Sequence, residues 1–322
     1  MTSAHEIPEL EAALADDSAY EDEHGHHHGP LEELITIRDL VRYATTQLTK
    51  HKVFFGHGLQ NAYDEAVYLV FTKLHLPHEQ LEVFLDASVT LDERVDVLET
   101  LRRRVEDRVP AAYLTNEAWL GEYSFYVDER VIIPRSYFAE LLENGFEPWV
   151  EDADALGSAL DLCTGSGCLA ILMADVFPNA RIVAVDLSDD ALDVARINLS
   201  DYDLEDRIEL VKSDVFSGLQ GQTFDLIISN PPYVTQESMD NIPDEYRHEP
   251  EMALVAGDDG LDVVRTILSQ AADHLNPGGH LAVEVGHNQH IVDAAYPDLP
   301  FMWLDSPSGS GKVFLLRRED LI

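Results

Sequence analysis

The chain has 322 residues, 45% of them hydrophobic, which is enough for two packed domains. It carries 61 acidic residues against 21 Lys plus Arg, a formal net charge of −40 spread along its length, which repels nucleic-acid phosphates and attracts basic proteins. Free DNA is therefore disfavoured as a substrate, although adaptation to a salty cytoplasm accounts for the acidity equally well. No apolar run approaches a membrane span and no signal peptide opens the chain, so a cytoplasmic protein is expected. The two cysteines, Cys163 and Cys168, sit in one short motif and fit a reducing compartment.

Residues 1–30 are polar, acidic and aperiodic, and a disordered acidic tail is expected there. His24, His26, His27 and His28 lie in it, but no further cluster completes a closed metal site, so they read as a solvated tail or an appended remnant and no metal is expected. Residues 31–115 predict a helical domain. Leu31, Leu34, Ile35, Leu40, Val41, Ala44 and Leu48 form one stripe. A second helix follows Asn61 as its cap, and a third carries Leu91, Val95, Leu98, Leu101 and Val105. His57, in the glycine loop between the first two, reads as structural, with substrate contact as the alternative. Residues 116–135 change period. Tyr123, Phe125 and Val127 alternate, Asp128-Glu129 reads as a turn, and Val131, Ile132 and Ile133 return, predicting a linking β-hairpin that ends at Pro134.

Residues 136–322 alternate strand and helix. Strands are expected at 159–162, 181–186, 208–212, 224–229, 280–285 and 312–316, with helices near Ala170, Ala195, Ile267 and Val292; Asn276-Pro277-Gly278-Gly279 is expected to stop the third helix. Such alternation implies a Rossmann-like, doubly wound parallel α/β sheet with ligands at the carboxyl ends of its strands.

The first strand runs into Asp161-Leu162-Cys163-Thr164-Gly165-Ser166-Gly167. The two glycines allow a tight turn and close approach of backbone to a ligand. Asp186 ends the next strand, 21 positions after Gly165, where an acid can bind ribose hydroxyls. Ala170 completes Gly-x-Gly-x-x-Ala, so a nicotinamide dehydrogenase competes with a methyltransferase. Asp161, placed to meet the cationic amino end of S-adenosylmethionine, and Asp214, placed to face its adenine, favour methyl transfer. Asp186 and Asp214 also read as helix caps.

Asn230-Pro231-Pro232-Tyr233 follows the fourth strand. Alone it is compatible with a strand leading into a proline-fixed turn. In phase with the glycine loop it describes a grip for a planar nitrogen. The Asn side-chain oxygen and the Pro231 carbonyl can accept both N–H groups, and Tyr233 can stack on the flat face. The amine of a DNA adenine would suit the same tetrapeptide, but that chemistry asks for a basic recognition domain, and the helical domain is acidic throughout.

Residues 161–171 (Asp-Leu-Cys-Thr-Gly-Ser-Gly-Cys-Leu-Ala-Ile) with 230–234 (Asn-Pro-Pro-Tyr-Val) resemble the bacterial glutamine-amide methyltransferases that act on translation proteins. Gly56-His57-Gly58, residues 61–66, 110–116 and 125–131, and Pro134-Arg135-Ser136 are similar to the PrmB branch, which modifies ribosomal protein L-three; residues 246–251 and 257–262 belong also to the PrmC branch, which modifies peptide release factors. The resemblance runs from Leu31 to the C-terminus. It implies a class I methyltransferase domain at 136–322, substrate recognition by 31–115, and S-adenosylmethionine as donor without a metal. It further implies a product N(5)-methylglutamine and a large-subunit ribosomal protein as partner. Asn230, Pro231, Pro232 and Tyr233 would hold the glutamine, while Asp161, the loop of Thr164, Gly165, Ser166 and Gly167, Asp186, Asp214 and Asn230 would hold the donor. Arg135 and Glu249 would stand at the acceptor entrance. Arg135 reads equally as an ion-pair partner for one of many carboxylates, and Glu249, before a proline, as part of a turn.

Overall fold

The computed structural model describes residues 29–322, together with the backbone of Tyr20–Glu21 and His27–His28. Most of the acidic tail expected over 1–30 lies outside the described residues. The chain divides into two compact units, Met1–Thr115 and Asn116–Ile322.

The first unit is built on three helices, α1 (Ile37–Lys50), α2 (Ala62–Lys73) and α3 (Leu91–Val105). The apolar stripe expected to run unbroken from Leu31 is interrupted at Leu34, after a single turn (Pro30–Glu33). Thr36 restarts the helix by accepting the Asp39 amide on its hydroxyl while the Asp39 carboxylate accepts the Thr36 amide at 2.9 Å, a reciprocal cap that satisfies two otherwise orphaned donors. Asn61 caps α2 as expected, its side-chain oxygen accepting the Asp64 amide at 3.0 Å. Leu40, Leu48, Val70, Phe71 and Leu98 fill the core. A buried ion pair crosses it, with Arg104 Nε donating to Glu65 Oε1 at 2.7 Å and Nη2 donating to the Phe54 carbonyl at 2.9 Å.

The second unit opens with a hairpin, but not the one expected. β1 (Ala118–Leu120) pairs with β2 (Tyr123–Phe125), turning at Gly121 in the left-handed region. The Asp128-Glu129 turn does form, the Val131 amide donating to the Asp128 carbonyl at 3.1 Å, but no strand returns at 131–133. The Asp128 carboxylate accepts the Arg130 amide and guanidinium and the Tyr126 hydroxyl, which curls the segment into a compact loop. Val131 and Ile133 are buried without a ladder, and the Ile133 amide donates to Glu249 Oε1 at 2.9 Å. Helix α4 (Phe138–Glu143) follows.

The sheet comprises β3 (Ser158–Leu162), β4 (Arg181–Asp186), β5 (Ile208–Lys212), β6 (Phe224–Ser229), β7 (Leu275–Glu284), β8 (Met302–Ser306) and β9 (Gly309–Arg317), in the spatial order β8-β9-β7-β6-β3-β4-β5. Between them run α5 (Cys168–Val176), α6 (Asp189–Asp201), α7 (Asp262–Gln270) and α8 (Gln289–Ala295). The sheet is α/β and Rossmann-like, yet mixed where a fully parallel one was expected: β3 to β7 are parallel, while β9 runs antiparallel to both β7 and β8. The short turn joining Ser306 to Gly309 permits only an antiparallel pair, because a parallel one needs a crossover of a dozen residues or so.

Asn276-Pro277-Gly278-Gly279 does not stop a helix. It lies within β7, where a register shift against Phe224 and Leu226 accommodates the residues that break the ladder, and α7 has already ended at Gln270. Adjacent strand residues such as Ala159 and Leu160 enter separate hydrophobic cores, as expected of a sheet covered on both faces. Strand order reverses between β3 and β6, which opens a crevice at their carboxyl ends. The glycine loop leaves β3 there and the Asn-Pro-Pro-Tyr segment leaves β6.

Candidate active site

The glycine loop is shaped from three sides. Gly165 (φ +56°) donates its amide to Asp186 Oδ2 at 2.9 Å, and the other Asp186 oxygen accepts the Ser188 amide at 3.0 Å. A side chain at Gly165 would meet nothing within 4 Å, so the backbone faces open space. At Gly167 (φ +81°) a Cβ would instead fall 3.2 Å from that of Ala195, so this glycine serves the packing of α5 against α6. Ser188, not Asp186, caps α6.

Beneath the loop Asp161 is fully buried. Thr164 Oγ1 donates to its Oδ2 at 2.6 Å, while Oδ1 has no hydrogen-bond partner among the described residues. Burial pushes this carboxyl up to about 7, against the pull of the Thr164 bond.

Two clefts open on this side of the unit. The first, of about 780 Å³, is bordered by Gly165, Asp186, Asp214, Asn230 and Pro232. The second, of about 710 Å³, is bordered by Arg135, Asn230, Pro231, Tyr233 and Tyr246. Asn230 stands on the wall common to both. Its Nδ2 donates to the Arg135 carbonyl at 3.3 Å, which turns Oδ1 away from that contact and frees it to accept. Asp161, Thr164, Ser166 and Gly167 lie behind the first cleft instead of on its lining.

Arg135 makes a two-pronged pair with Glu249, both bonds 2.6 Å, and its guanidinium lies 5.1 Å from the Tyr246 ring centre. Arg135 is thus an ion-pairing residue, and it also borders the second cleft. Glu249 is buried and borders neither.

A family model described as the methyltransferase small domain matches residues 149–254. The ribosomal protein uL3 glutamine methyltransferase of Neisseria gonorrhoeae is 55% identical over 90% of this chain and 97% of its own length. The proteins of the same name from Bordetella pertussis and Francisella tularensis are 52% and 43% identical over 90% and 91% of this chain, and 97% and 93% of their own. The chain belongs to this family. Among solved structures, the hMettl16 catalytic domain in complex with a MAT2A 3'UTR hairpin is similar at 15% identity over 70% of this chain and 80% of that one, with a TM-score of 0.47.

Membership in the uL3 glutamine methyltransferases makes this an S-adenosylmethionine-dependent protein glutamine methyltransferase and sets aside the dehydrogenase and DNA-adenine readings. The donor fits the residues present: the orphaned Asp161 oxygen suits a cation, and the open face of Gly165 leaves room for a ligand against backbone. Two residues escaped the sequence reading. Asn198 on α6 accepts the Tyr126 amide at 2.7 Å and donates to the Ser166 carbonyl at 2.8 Å, tying the glycine loop to the curled segment. Glu284, the last residue of β7, accepts from Ser136, Tyr137 and Tyr233. An Asn inside a helix and a Glu closing an apolar strand stand out by their polarity, but nothing local announces their partners. No helix among the described residues is long and apolar enough to cross a membrane.

Proposed function

We propose that this methyltransferase converts one glutamine of ribosomal protein uL3 to N(5)-methylglutamine in the cytoplasm, before or during assembly of the large subunit. The observation that carries the reading is the placement of Asn230, with its oxygen free to accept, on the wall between a donor cleft and an acceptor cleft. S-adenosylmethionine, when bound, supplies an electrophilic methyl group. Asp186 would hold its ribose hydroxyls with the lone pairs left over from the Gly165 and Ser188 amides, Asp214 would border its adenine, and Asp161, just behind the cleft lining, would offer its unpartnered oxygen toward the ammonium.

An amide nitrogen is a weak nucleophile because its lone pair is delocalised, so it must be oriented more than deprotonated. Asn230 Oδ1 and the Pro231 carbonyl accept its two N–H bonds, which draws electron density toward nitrogen and aims the lone pair across the shared wall. The Tyr233 ring covers the flat face. As the N–C bond forms, the nitrogen becomes strongly acidic and its proton leaves to one of these oxygens or to water, so no histidine base is required. Because Glu249 and Tyr246 occupy the Arg135 guanidinium, the acceptor cleft suits a neutral amide more than a carboxylate. The helical unit, which holds none of this machinery, is assigned to recognising the substrate protein, and the acidic surface favours a basic one.

Mass spectrometry of uL3 and of a release factor, each incubated with enzyme and S-adenosylmethionine, tests the reading. One added methyl on a uL3 glutamine alone is the expected result; modification of the release factor alone would overturn the choice of substrate and keep the chemistry.

Donor binding should also depend on pH. The Asp161 carboxyl, held up to about 7, must lose its proton to face an ammonium. Affinity is therefore flat above neutrality and falls about tenfold for each pH unit below it, with proton release on binding. Calorimetry in buffers of different ionisation enthalpy measures both, and a flat profile from pH 5.5 to 8 would leave Asp161 only a support for the loop.

A further inference from the structure

Glu284 is almost fully buried at the carboxyl end of β7, where an ionised side chain is costly unless its oxygens are bonded. Oε2 accepts the Ser136 hydroxyl at 2.6 Å and the Tyr137 amide at 3.0 Å; Oε1 accepts the Tyr233 hydroxyl at 3.3 Å. Those donors come from segments 148, 147 and 51 positions away in the chain.

Both ends of the Asn-Pro-Pro-Tyr segment return to this one carboxylate. Tyr233 reaches it directly. Asn230 reaches it through the Arg135 carbonyl, which accepts Asn230 Nδ2 at 3.3 Å and belongs to the residue next to Ser136. Ser136 Oγ also accepts the Phe138 amide at 3.1 Å, so the clamped turn is fixed to the start of α4. Two residues past Glu284 the backbone lies directly against the Tyr233 ring: a Cβ at Gly286 would fall 2.7 Å from its Cε2.

We propose that Glu284 is a positioning residue for methyl transfer, its carboxylate anchoring Tyr233 and the 135–137 turn so that Asn230 Oδ1 faces the substrate amide. This rests on the reading of Asn230 and Tyr233 as the amide grip. A carboxylate accepts from all three donors at once; a glutamine of the same shape can keep Ser136 and Tyr137 on its oxygen only by setting its NH2 against the Tyr233 hydroxyl, which must then accept instead of donate and shift its tether.

The test compares wild type, Glu284→Gln, Tyr233→Phe and the double variant, on whichever of uL3 or a release factor the wild-type enzyme modifies, with donor Kd measured by calorimetry. Glu284→Gln should lower kcat/KM for the protein acceptor by about tenfold or more, with donor Kd within about twofold of wild type. Tyr233→Phe should lose less, and the double variant should be no worse than Glu284→Gln alone, because both act through one tether. Wild-type kcat/KM in Glu284→Gln, or a parallel loss of donor binding in a folded Glu284→Gln protein, would overturn the proposal. Should that variant fail to fold, Ser136→Ala and Tyr233→Phe decide: each must lower kcat/KM at unchanged donor Kd, and no effect from either sinks the idea. A wild-type enzyme that modifies only the release factor removes the uL3 reading and leaves this comparison intact.

Discussion

Replacing Asn230 with alanine is expected to lower kcat by about 10²–10³-fold while the Kd for S-adenosylmethionine stays within about twofold. The residue borders both clefts, yet its fixed contact is to the Arg135 carbonyl, and what that contact organises is the oxygen offered to the acceptor. On the proposed role, truncation removes an acceptor already aimed before the substrate arrives, and the orientation of a weak nucleophile is lost with it. Asn230→Asp should fall almost as far. It keeps two oxygens but has no N–H to give Arg135, so it sets an anion against a carbonyl oxygen and turns away from the acceptor. Single-turnover kinetics beside calorimetry separate the outcomes. A collapse of donor affinity equal to the loss of turnover would assign Asn230 to the donor and end its role in gripping the amide.

The second large effect lies in the helical unit. Glu65→Ala should cost about 3–5 kcal/mol of unfolding free energy, because it strands a guanidinium inside the core. The Arg104 and Glu65 side chains are 1% and 5% exposed, and the pair ties α3 to α2 and, through the Phe54 carbonyl, to the loop between α1 and α2. A joint Glu65→Leu, Arg104→Met exchange removes both charges and should recover most of that loss, since well-packed apolar side chains often replace a buried pair at little cost. Denaturant unfolding of the single and joint variants provides the measurement. A single variant within about 1 kcal/mol of wild type would show that water reaches the stranded cation.

The local parts of the molecule are readable from the chain alone. The parallel strands at 181–186, 208–212 and 224–229 coincide with β4, β5 and β6, and the Asn61 cap and α3 stand where spacing and capping residues place them. The glycine loop and Asn-Pro-Pro-Tyr were legible because each is a short run whose backbone needs are written in adjacent residues: positive φ at Gly165, ring-fixed φ at the prolines. The hairpin went astray for a comparable local reason. The alternation of Tyr123, Phe125 and Val127 is real, but Asp128 spends its carboxylate on Arg130 and Tyr126, a choice among competing donors that hydrophobic period does not report.

Neighbouring residues therefore suffice to read the alternation of strands and helices, the glycine loop and the Asn-Pro-Pro-Tyr segment. Only the folded chain reveals that β9 inserts antiparallel beside β7, that Glu249 occupies Arg135, and that Glu284 gathers Ser136, Tyr137 and Tyr233. The difference is one of range. Periodicity and capping act within a few residues, whereas a buried carboxylate must find its donors wherever the sheet brings them, here from segments more than a hundred positions away in the chain.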